Sequence, residues 1–297
     1  MRRKTKGVLT GVFGASSYGT NPLFALPLYA AGLGVNSVLF YRYFFAVVLF
    51  GLWLKSVKRQ SLKISFKETL FLMPLGMVFA VSSLTLFMSY NYIDAGIAST
   101  ILFIYPIMVA LIMACFGEKP SKRTLGSIAM TTAGILLLYK GEAGRTLDAT
   151  GVGLVLVSAL SYAVYMVAIK KIPAIKRINS SKLTFYVMLF GLSVFLFNLQ
   201  SGTGLQPLNS AFDWTCAVCL ALFPTIVSLE TMTIAIKLIG PTLSAVLGAL
   251  EPVTAIFFGV LLFHEQMTLR IASGILLILA AVLFIVLEKK AAGLTFL

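Results

Sequence analysis

The sequence has few charged residues and few of the residues that build metal or disulfide sites. Only 11% of its 297 residues are charged, and it contains 10 acidic residues, 1 histidine and 3 cysteines. A soluble domain carries about 25% charged residues, because its surface must face water. The shortage of charge therefore excludes soluble enzymes, disordered chains and disulfide-rich secreted modules as the class of this protein.

Apolar residues take the place of the charges and indicate an integral membrane protein. Hydrophobic residues make up 59% of the chain, and the mean hydropathy is +0.97. The apolar runs lack the alternation of β-barrel strands, so helices remain, because lipid offers the backbone no hydrogen-bonding partner. Since a helix crosses the bilayer core in about 20 residues and each crossing with its loop needs about 30, the length allows about ten spans.

Ten apolar stretches along the chain are predicted to be transmembrane helices. They cover residues 7–28, 35–54, 68–90, 95–116, 124–139, 151–172, 183–199, 213–236, 242–263 and 268–287. No long polar segment separates them, and the first is too long to be a removed signal peptide. The sequence therefore predicts an all-α integral membrane protein without a soluble domain.

Most of the basic residues lie on one side of these predicted spans. Twenty of the 24 lysines and arginines fall on that side, whereas Lys140, Arg145 and Arg270 fall on the other and Arg42 lies inside a span. By the positive-inside rule, both termini are cytoplasmic. We expect a multi-pass protein of the plasma membrane (the prokaryotic inner membrane), and its net charge of +14 needs no nucleic-acid partner.

The two halves of the chain resemble each other. Residues 7–18 align with residues 151–162, and five pairs are identical, including Ser17-Tyr18 with Ser161-Tyr162. Further matches are Ser82 with Ser228, Thr85 with Thr231, Pro106 with Pro252 and Glu118 with Glu265. Each half holds five predicted spans, an odd number, so the second half enters the membrane from the opposite side. In transporters, such an inverted repeat places a substrate site near the midplane between the halves.

Several short motifs resemble a known family. In the first half they are Ala95-Gly96-Ile97-Ala98-Ser99, Tyr105-Pro106, Gly117-Glu118-Lys119, Gly126 and Gly134. In the second half they are Pro241-Thr242-Leu243-Ser244-Ala245, Glu251-Pro252 and His264-Glu265, and the chain departs from the pattern at Ser273 and Ala281, where the first copy has glycines. They resemble the EamA repeat of the drug/metabolite transporter (DMT) superfamily over essentially the whole chain. The resemblance implies ten helices as two inverted five-helix repeats around a central cavity lined by spans 1, 3, 4, 6, 8 and 9. We place the repeats at residues 1–145 and 146–290, followed by a short tail at 291–297.

Two acids lie inside predicted spans, where a charge costs about 2.5–3.5 kcal/mol on insertion scales, so both are functional candidates. Glu251 lies near the middle of span 9, and Glu230 lies about 6 Å from the middle of span 8 toward the cytoplasm. Glu251 is either a site for a proton, a cation or a substrate amine, or a carboxylate that bonds backbone N–H groups freed beside Pro252. Glu230 either faces the cavity or pairs with a basic group elsewhere.

Polar and aromatic residues of the predicted cavity helices are candidates for substrate binding. Arg42 either snorkels to the outer interface or captures a substrate carboxylate with its guanidinium. Asn21-Pro22 breaks span 1 and exposes backbone groups. Aromatic rings here either hold an amphipathic or cationic substrate or face lipid and neighbouring helices. The predicted substrate-binding residues are Ser17, Tyr18, Asn21, Arg42, Phe103, Tyr105, Tyr162, Tyr165, Ser228, Glu230 and Glu251.

These features favour a transporter over other classes of membrane protein. Cys216 and Cys219 form a C-x-x-C pair in an apolar span without a second metal-binding pair, and no catalytic motif occurs, so we expect no enzyme, cofactor or metal site. We expect a secondary active transporter that exports amino acids or related amphipathic metabolites by alternating access. Its partners would be a small-molecule substrate, membrane lipid, and protons coupled through Glu251 and Glu230. The alternative is a non-transporting receptor or lipid-handling protein on the same helices.

Overall fold

The computed structural model describes residues 3–93, 98, 101–138, 148–200, 204–263 and 268–291, and the regular elements of this part of the chain are helices. The all-α prediction is confirmed for these residues. Four predictions concern residues outside the described ranges. They are the motif residues Ala95-Gly96-Ile97 and Ser99, the pair His264-Glu265, the boundary between the repeats near residue 145, and the tail beyond residue 291.

The described helices overlap each of the ten predicted spans, and one short helix, Pro173–Arg177, lies between spans 6 and 7. They are α1 (Arg3–Tyr18), α2 (Asn21–Ala30), α3 (Val35–Ser56), α4 (Phe66–Ser89), α5 (Tyr105–Cys115), α6 (Lys122–Leu138), α7 (Ala149–Lys171), α8 (Pro173–Arg177), α9 (Ser180–Gln200), α10 (Ala211–Ala221), a π-helix (Leu222–Val227), α11 (Ser228–Ile239), α12 (Pro241–Leu247), α13 (Leu250–Phe263) and α14 (Leu269–Ala291). Six segments of the described chain are long and apolar enough to cross a membrane: Val35–Ser56, Phe66–Ser89, Ala149–Lys171, Ser180–Gln200, Ala211–Ile239 and Pro241–Phe258. The protein is therefore a multi-pass membrane protein, and the number ten stays a prediction.

Prolines interrupt two of the predicted spans. Span 1 breaks between α1 and α2 just before Pro22, as the sequence predicts. Span 9 breaks just before Pro252, because α12 ends at Leu247 and α13 begins at Leu250. Pro252 has no N–H to donate to the carbonyl oxygen of Gly248. That oxygen instead accepts a hydrogen bond from the backbone N–H of Glu251 at 2.9 Å, which tightens the turn at the break.

A third proline lies in the π-helix between α10 and α11. Pro224 cannot donate to the carbonyl oxygen of Leu220, and the hydroxyl of Thr225 donates to it at 2.8 Å instead. The hydroxyl of Ser17 on α1 donates to the carbonyl oxygen of Phe223 at 2.7 Å. The side chain of Thr225 therefore gives the carbonyl group of Leu220 a donor that the proline cannot supply, as buried backbone groups require in a membrane. Ser17 adds a second hydrogen bond to a carbonyl oxygen that also accepts one from the backbone N–H of Ser228.

Polar caps begin three of the long helices. Ser65 and Glu68 form a reciprocal capping box at the start of α4, and Ser210 and Asp213 form another at the start of α10. The carboxylate of Asp148 accepts hydrogen bonds from two backbone N–H groups in the first turn of α7. Each cap satisfies donors that the first helical turn leaves unpaired, so these helices begin at the polar capping residues.

The two repeats make equivalent close contacts. A Cβ on Gly7 would lie 2.6 Å from Cγ2 of Ile239, and a Cβ on Gly151 would lie 2.8 Å from Cγ2 of Ile93. Gly7 aligns with Gly151, and Ile93 aligns with Ile239 in the register of the other matched pairs. The pair α1–α11 therefore packs as the pair α4–α7 does, and both pairs contribute to the centre of the molecule.

Candidate functional site

A small cavity of about 30 Å³ lies at the centre of the helices. Its lining residues are Tyr18, Phe79, Ser82, Ser83, Leu86, Leu102, Tyr105, Ser158, Tyr162, Ser228, Leu229, Met232 and Glu251. They come from parts of spans 1, 3, 4, 6, 8 and 9, the six spans that the resemblance to the EamA repeat implies. A cavity of this volume holds about one water molecule and is too small for a metabolite in this conformation.

The cavity brings together five of the eleven residues predicted to bind substrate. These five are Tyr18, Tyr105, Tyr162, Ser228 and Glu251. Three of them belong to the second repeat and two to the first, so the site lies between the halves of the chain. The other predicted residues are Ser17, Asn21, Arg42, Phe103, Tyr165 and Glu230, and they lie behind the cavity wall or away from it. Whether any of the eleven binds substrate stays a prediction.

Glu251 carries the only carboxylate among the residues that line this cavity. It lies in the first turn of α13, beside the break at Gly248, and its side chain is partly exposed to the cavity. Within the described residues, no N–H group and no cation bonds to its carboxylate. The interpretation as a carboxylate that bonds freed backbone N–H groups therefore has no hydrogen bond to support it.

Three tyrosines lie around Glu251. Tyr18, Tyr105 and Tyr162 line the same small cavity as its carboxylate. The rings of Tyr105 and Tyr162 meet edge to face at 5.0 Å. Aromatic faces attract cations and a carboxylate pairs with them, so this group of side chains is suited to an ammonium group attached to an apolar body.

Two of the predicted aromatic residues form the wall behind these rings. Phe103 is 4% exposed and packs edge to face on Tyr105 at 5.2 Å. Tyr165 is 1% exposed, stacks on Tyr162 at 6.1 Å and contacts Phe79 at 4.9 Å. Both side chains hold the lining tyrosines in place and do not themselves line the cavity.

The sequence analysis missed several serines of the cavity. Ser82 and Ser158 donate hydrogen bonds to each other's carbonyl oxygens at 3.0 and 2.7 Å, where α4 crosses α7. The hydroxyls of Ser83 and Tyr43 are 2.9 Å apart. Ser82 is the repeat partner of Ser228, so the comparison of the two halves contained the signal for it. The comparison of the two halves does not mark Ser83 and Ser158. Their contacts depend on which helices cross, and this is decided by the packing of the helices.

Two predicted residues near the break of span 1 serve the helix contacts. The hydroxyl of Ser17 bonds to the π-helix, as described above, and not to the cavity. Asn21 begins α2 and is 8% exposed, and its Oδ1 has no hydrogen-bond partner in the described residues. Both side chains stabilise or border the break between α1 and α2.

Arg42 lies in the interior of the protein, next to the cavity wall. Its Nε donates to Oγ1 of Thr225 at 2.7 Å, and its Nη2 donates to the carbonyl oxygen of Pro224 at 3.3 Å. The guanidinium carbon lies 5.5 Å from the ring centre of Tyr18 and 6.0 Å from that of Phe87. The side chain is 1% exposed. The snorkelling interpretation is wrong, because a snorkelling arginine keeps its charged group at the interface.

Glu230 lies in a separate polar group near the start of α9. The hydroxyl of Ser181 at the start of α9 donates to its Oε1 at 2.6 Å. Lys237 and Lys58 act on it electrostatically, and its Oε2 has no hydrogen-bond partner in the described residues. The two acids of the second repeat therefore occupy different sites, and only Glu251 lines the cavity.

Comparison with known proteins finds relatives over most of the chain. The EamA-like transporter family matches residues 5–140 and 149–287. The chain is 27% identical over 240 residues to the uncharacterized transporter YvbV of Bacillus subtilis (strain 168), covering 77% of this chain and 76% of the relative. It is 24% identical over 280 residues to the uncharacterized transporter YcbK of the same strain, covering 91% and 89%. A protein crystal structure that is 18% identical superposes with a TM-score of 0.79 over 97% of this chain and 99% of that chain, which shows the same fold.

Proposed function

The chain belongs to the EamA-like transporter family, within the DMT superfamily, and from this we propose that it is a secondary active transporter of small metabolites. The single observation that carries the proposal is the position of Glu251, in a cavity to which both repeats contribute. An acid is costly inside a membrane, and such residues mark substrate and proton paths. The names of both relatives, which describe them as transporters, support the same class.

We propose an alternating-access mechanism, which is supported by the contribution of both repeats to the cavity walls. Its walls come from α1, α4 and α5 on one side and from α7, α11 and α13 on the other. If the two repeats rock against each other, the same residues face each side of the membrane in turn. The small volume in the described conformation supports a closed stage of this cycle, because about one water molecule fits and a metabolite does not.

The topology that we propose has ten transmembrane helices with both termini in the cytoplasm. The asymmetry of the basic residues supports this orientation. The location is the plasma membrane, as the prokaryotic inner membrane. We also propose that the protein is not an enzyme, because its family consists of transporters and the cavity holds one acid among tyrosines and serines.

The substrate that suits the cavity is a small amphipathic amine, and amino acids or related compounds belong to this class. Glu251 would pair with the ammonium group, and Tyr18, Tyr105 and Tyr162 would present their rings to it. Serine hydroxyls on α4, α7 and α11 would supply further hydrogen bonds. We propose export as the direction, in keeping with the usual activity of proteins that resemble the EamA repeat.

Proton coupling through Glu251 would drive this transport. A single carboxylate binds either a proton or an ammonium group, so the two ligands exclude each other at this site. One proton moving per substrate across the membrane is worth about 2.3 kcal/mol per 100 mV. Glu230 is the second acid, between the cavity and the cytoplasmic loops, where it can relay protons.

Counterflow into proteoliposomes tests the proposed function. The purified chain is reconstituted into liposomes loaded with an unlabelled amino acid or the corresponding amine, and uptake of the labelled compound is followed with and without a pH gradient. Uptake above that of protein-free liposomes is expected for at least one compound. Absence of counterflow across the amino acids and their amines would overturn the proposal and favour a non-transporting receptor or lipid-handling protein.

A further inference from the structure

Arg42 is a buried cation without an acidic partner among the residues that the structure describes. Both groups that accept its hydrogen bonds, the Thr225 hydroxyl and the Pro224 carbonyl, are neutral. Within the described part of the chain, no carboxylate lies within ion-pairing distance of it, and its Nη1 has no hydrogen-bond partner. A buried charge that lacks a counter-charge destabilises the state that contains it. This arginine is therefore equipped to receive an anion.

A second unused donor lies close to Arg42. The hydroxyl of Tyr29 on α2 is buried and has no hydrogen-bond partner in the described residues. Both Tyr29 and Arg42 flank Phe87, whose ring centre lies 6.2 Å from the Tyr29 ring and 6.0 Å from the guanidinium carbon. A carboxylate has two oxygens that only accept hydrogen bonds, so it is the kind of group that would take up two donors beside one ring.

Tyr18 connects this pair of donors with the central cavity. Its ring lies against the guanidinium of Arg42 and also lines the cavity that contains Glu251. A positive and a negative side chain, neither of which has an ionic partner among the described residues, thus lie near the same aromatic ring. Opposite charges near one ring would suit a molecule that carries both an ammonium and a carboxylate group.

We propose that Arg42 and Tyr29 bind the carboxylate of the transported molecule while Glu251 binds its ammonium group. The inference rests on the proposed function and narrows the substrate to zwitterions. Because Arg42 does not line the cavity in this conformation, the ring of Tyr18 must turn before the carboxylate reaches Nη1. Tyr18 is the last residue of α1, directly before the break at Gly19, where the absence of a continuous helix allows such a movement.

Binding of matched compounds to the full chain in nanodiscs tests this assignment. The probes are phenylalanine, phenethylamine, which lacks the carboxylate, and 3-phenylpropionate, which lacks the amine, together with leucine and its two corresponding analogues. Isothermal titration gives the Kd of each compound for the wild type and for Arg42→Gln. Loss of a hydrogen-bonded charge pair weakens binding about tenfold or more. We expect this loss for the zwitterions and the carboxylates and an unchanged Kd for the amines.

Three further variants separate binding from a structural role. Tyr29→Phe should weaken binding of the zwitterions and the carboxylates by a smaller factor than Arg42→Gln does. Arg42→Lys should retain part of the carboxylate binding because it keeps the charge. Thr225→Val removes a hydrogen-bond partner of Arg42 but leaves its charge, so it is the matched control. An equal loss for all three classes of compound in both Arg42→Gln and Thr225→Val would show a structural arginine and overturn the assignment.

The outcomes also distinguish this inference from the proposed function. If amines bind and are transported but zwitterions bind no better than amines, the proposed transport function holds. The proposed carboxylate site is then overturned. If no compound binds and none is transported, the proposed function fails and the carboxylate site fails with it.

Discussion

The hydroxyl oxygen of Tyr105 fills the space in which Gly248 would carry a side chain. Tyr105 belongs to α5 of the first repeat, and Gly248 lies at the break between α12 and α13 of the second. The same hydroxyl donates a hydrogen bond to the carbonyl oxygen of Ala245 at 3.1 Å. The contact therefore joins the two repeats at the edge of the cavity, one turn from Glu251.

Gly248→Ala should lower the stability of the protein, and Tyr105→Phe should partly restore it. The new methyl group overlaps the tyrosine hydroxyl, and overpacking of this kind costs about 1–3 kcal/mol. Without the hydroxyl, the ring carbon Cζ would lie 3.1 Å from the new Cβ, which a small shift relieves. Thermal unfolding of the wild type, both single variants and the double variant in nanodiscs gives a double-mutant cycle. The coupling free energy between the two substitutions should be about 0.5–3 kcal/mol. Additive effects of the two substitutions would contradict this contact.

Gly19→Ala should destabilise the protein and slow transport, because Gly19 packs against the start of α13, next to the break between α12 and α13. A Cβ there would overlap the carbonyl oxygen of Glu251 and lie 2.7 Å from Cβ of Thr254. Both neighbours are rigid, so we expect a loss of about 1–3 kcal/mol. Gly153→Ala is the control, since no atom lies within 4 Å of the new Cβ. Thermal unfolding in nanodiscs should separate the two variants, and equal Tm values would refute the proposed packing of the breaks.

Glu251→Gln should abolish pH-driven accumulation of substrate without unfolding the protein. Glutamine has nearly the same shape as glutamate but binds neither a proton nor an ammonium group as an anion does. Uptake into proteoliposomes is measured with and without an imposed pH gradient. Glu118→Gln is the matched control, because Glu118 is an exposed acid that pairs with Lys171 at 2.7 Å outside the cavity. A variant at Glu251 that keeps the pH dependence of the wild type would mean that this acid is structural.

Glu230→Gln should weaken the pH dependence less than Glu251→Gln does. Glu230 does not line the cavity, and its Oε1 accepts a hydrogen bond from Ser181 at 2.6 Å, which the amide oxygen of glutamine can also accept. The variant therefore removes a relay for protons and leaves the substrate site intact. Transport assays at several values of external pH provide the comparison. A complete loss of pH-driven transport would place the coupling site at Glu230 and not in the cavity.

The N-cap of α7 should give a small pH dependence of stability. Hydrogen bonds from the backbone N–H groups of Gly151 and Thr150 hold the pKa of Asp148 below its ordinary value. A carboxyl group with a lowered folded-state pKa stabilises the fold fully above its ordinary pKa, and the contribution is lost as the pH falls through the folded-state pKa. Asp148→Asn keeps a capping side chain without the charge. The difference in Tm between the wild type and this variant should vanish in acid, and a difference independent of pH would contradict the assignment.

Much of the fold and part of the site could be predicted from the sequence. The length of the apolar runs predicted the helices, because the thickness of the bilayer fixes how many residues a span needs. The repeat alignment and the family resemblance named Tyr18, Tyr105, Tyr162, Ser228 and Glu251, which the structure brings to one cavity. Each of these signals is local or periodic along the chain. One interpretation of Glu251 placed freed backbone groups beside Pro252, and the structure has the break between α12 and α13 next to this proline.

The sequence by itself determined that this is a helical membrane protein with a repeated architecture and a few ionisable residues inside its spans. Only the tertiary structure decided what those residues meet. Arg42 bonds to Thr225, 183 residues away, and Glu230 bonds to Ser181, 49 residues away. Helix propensity and hydropathy depend on neighbouring residues, whereas the partner of a buried charge depends on which helices cross and where they break. That choice arises from the packing of the whole chain, because the helices that cross and the breaks within them decide which side chains face each other.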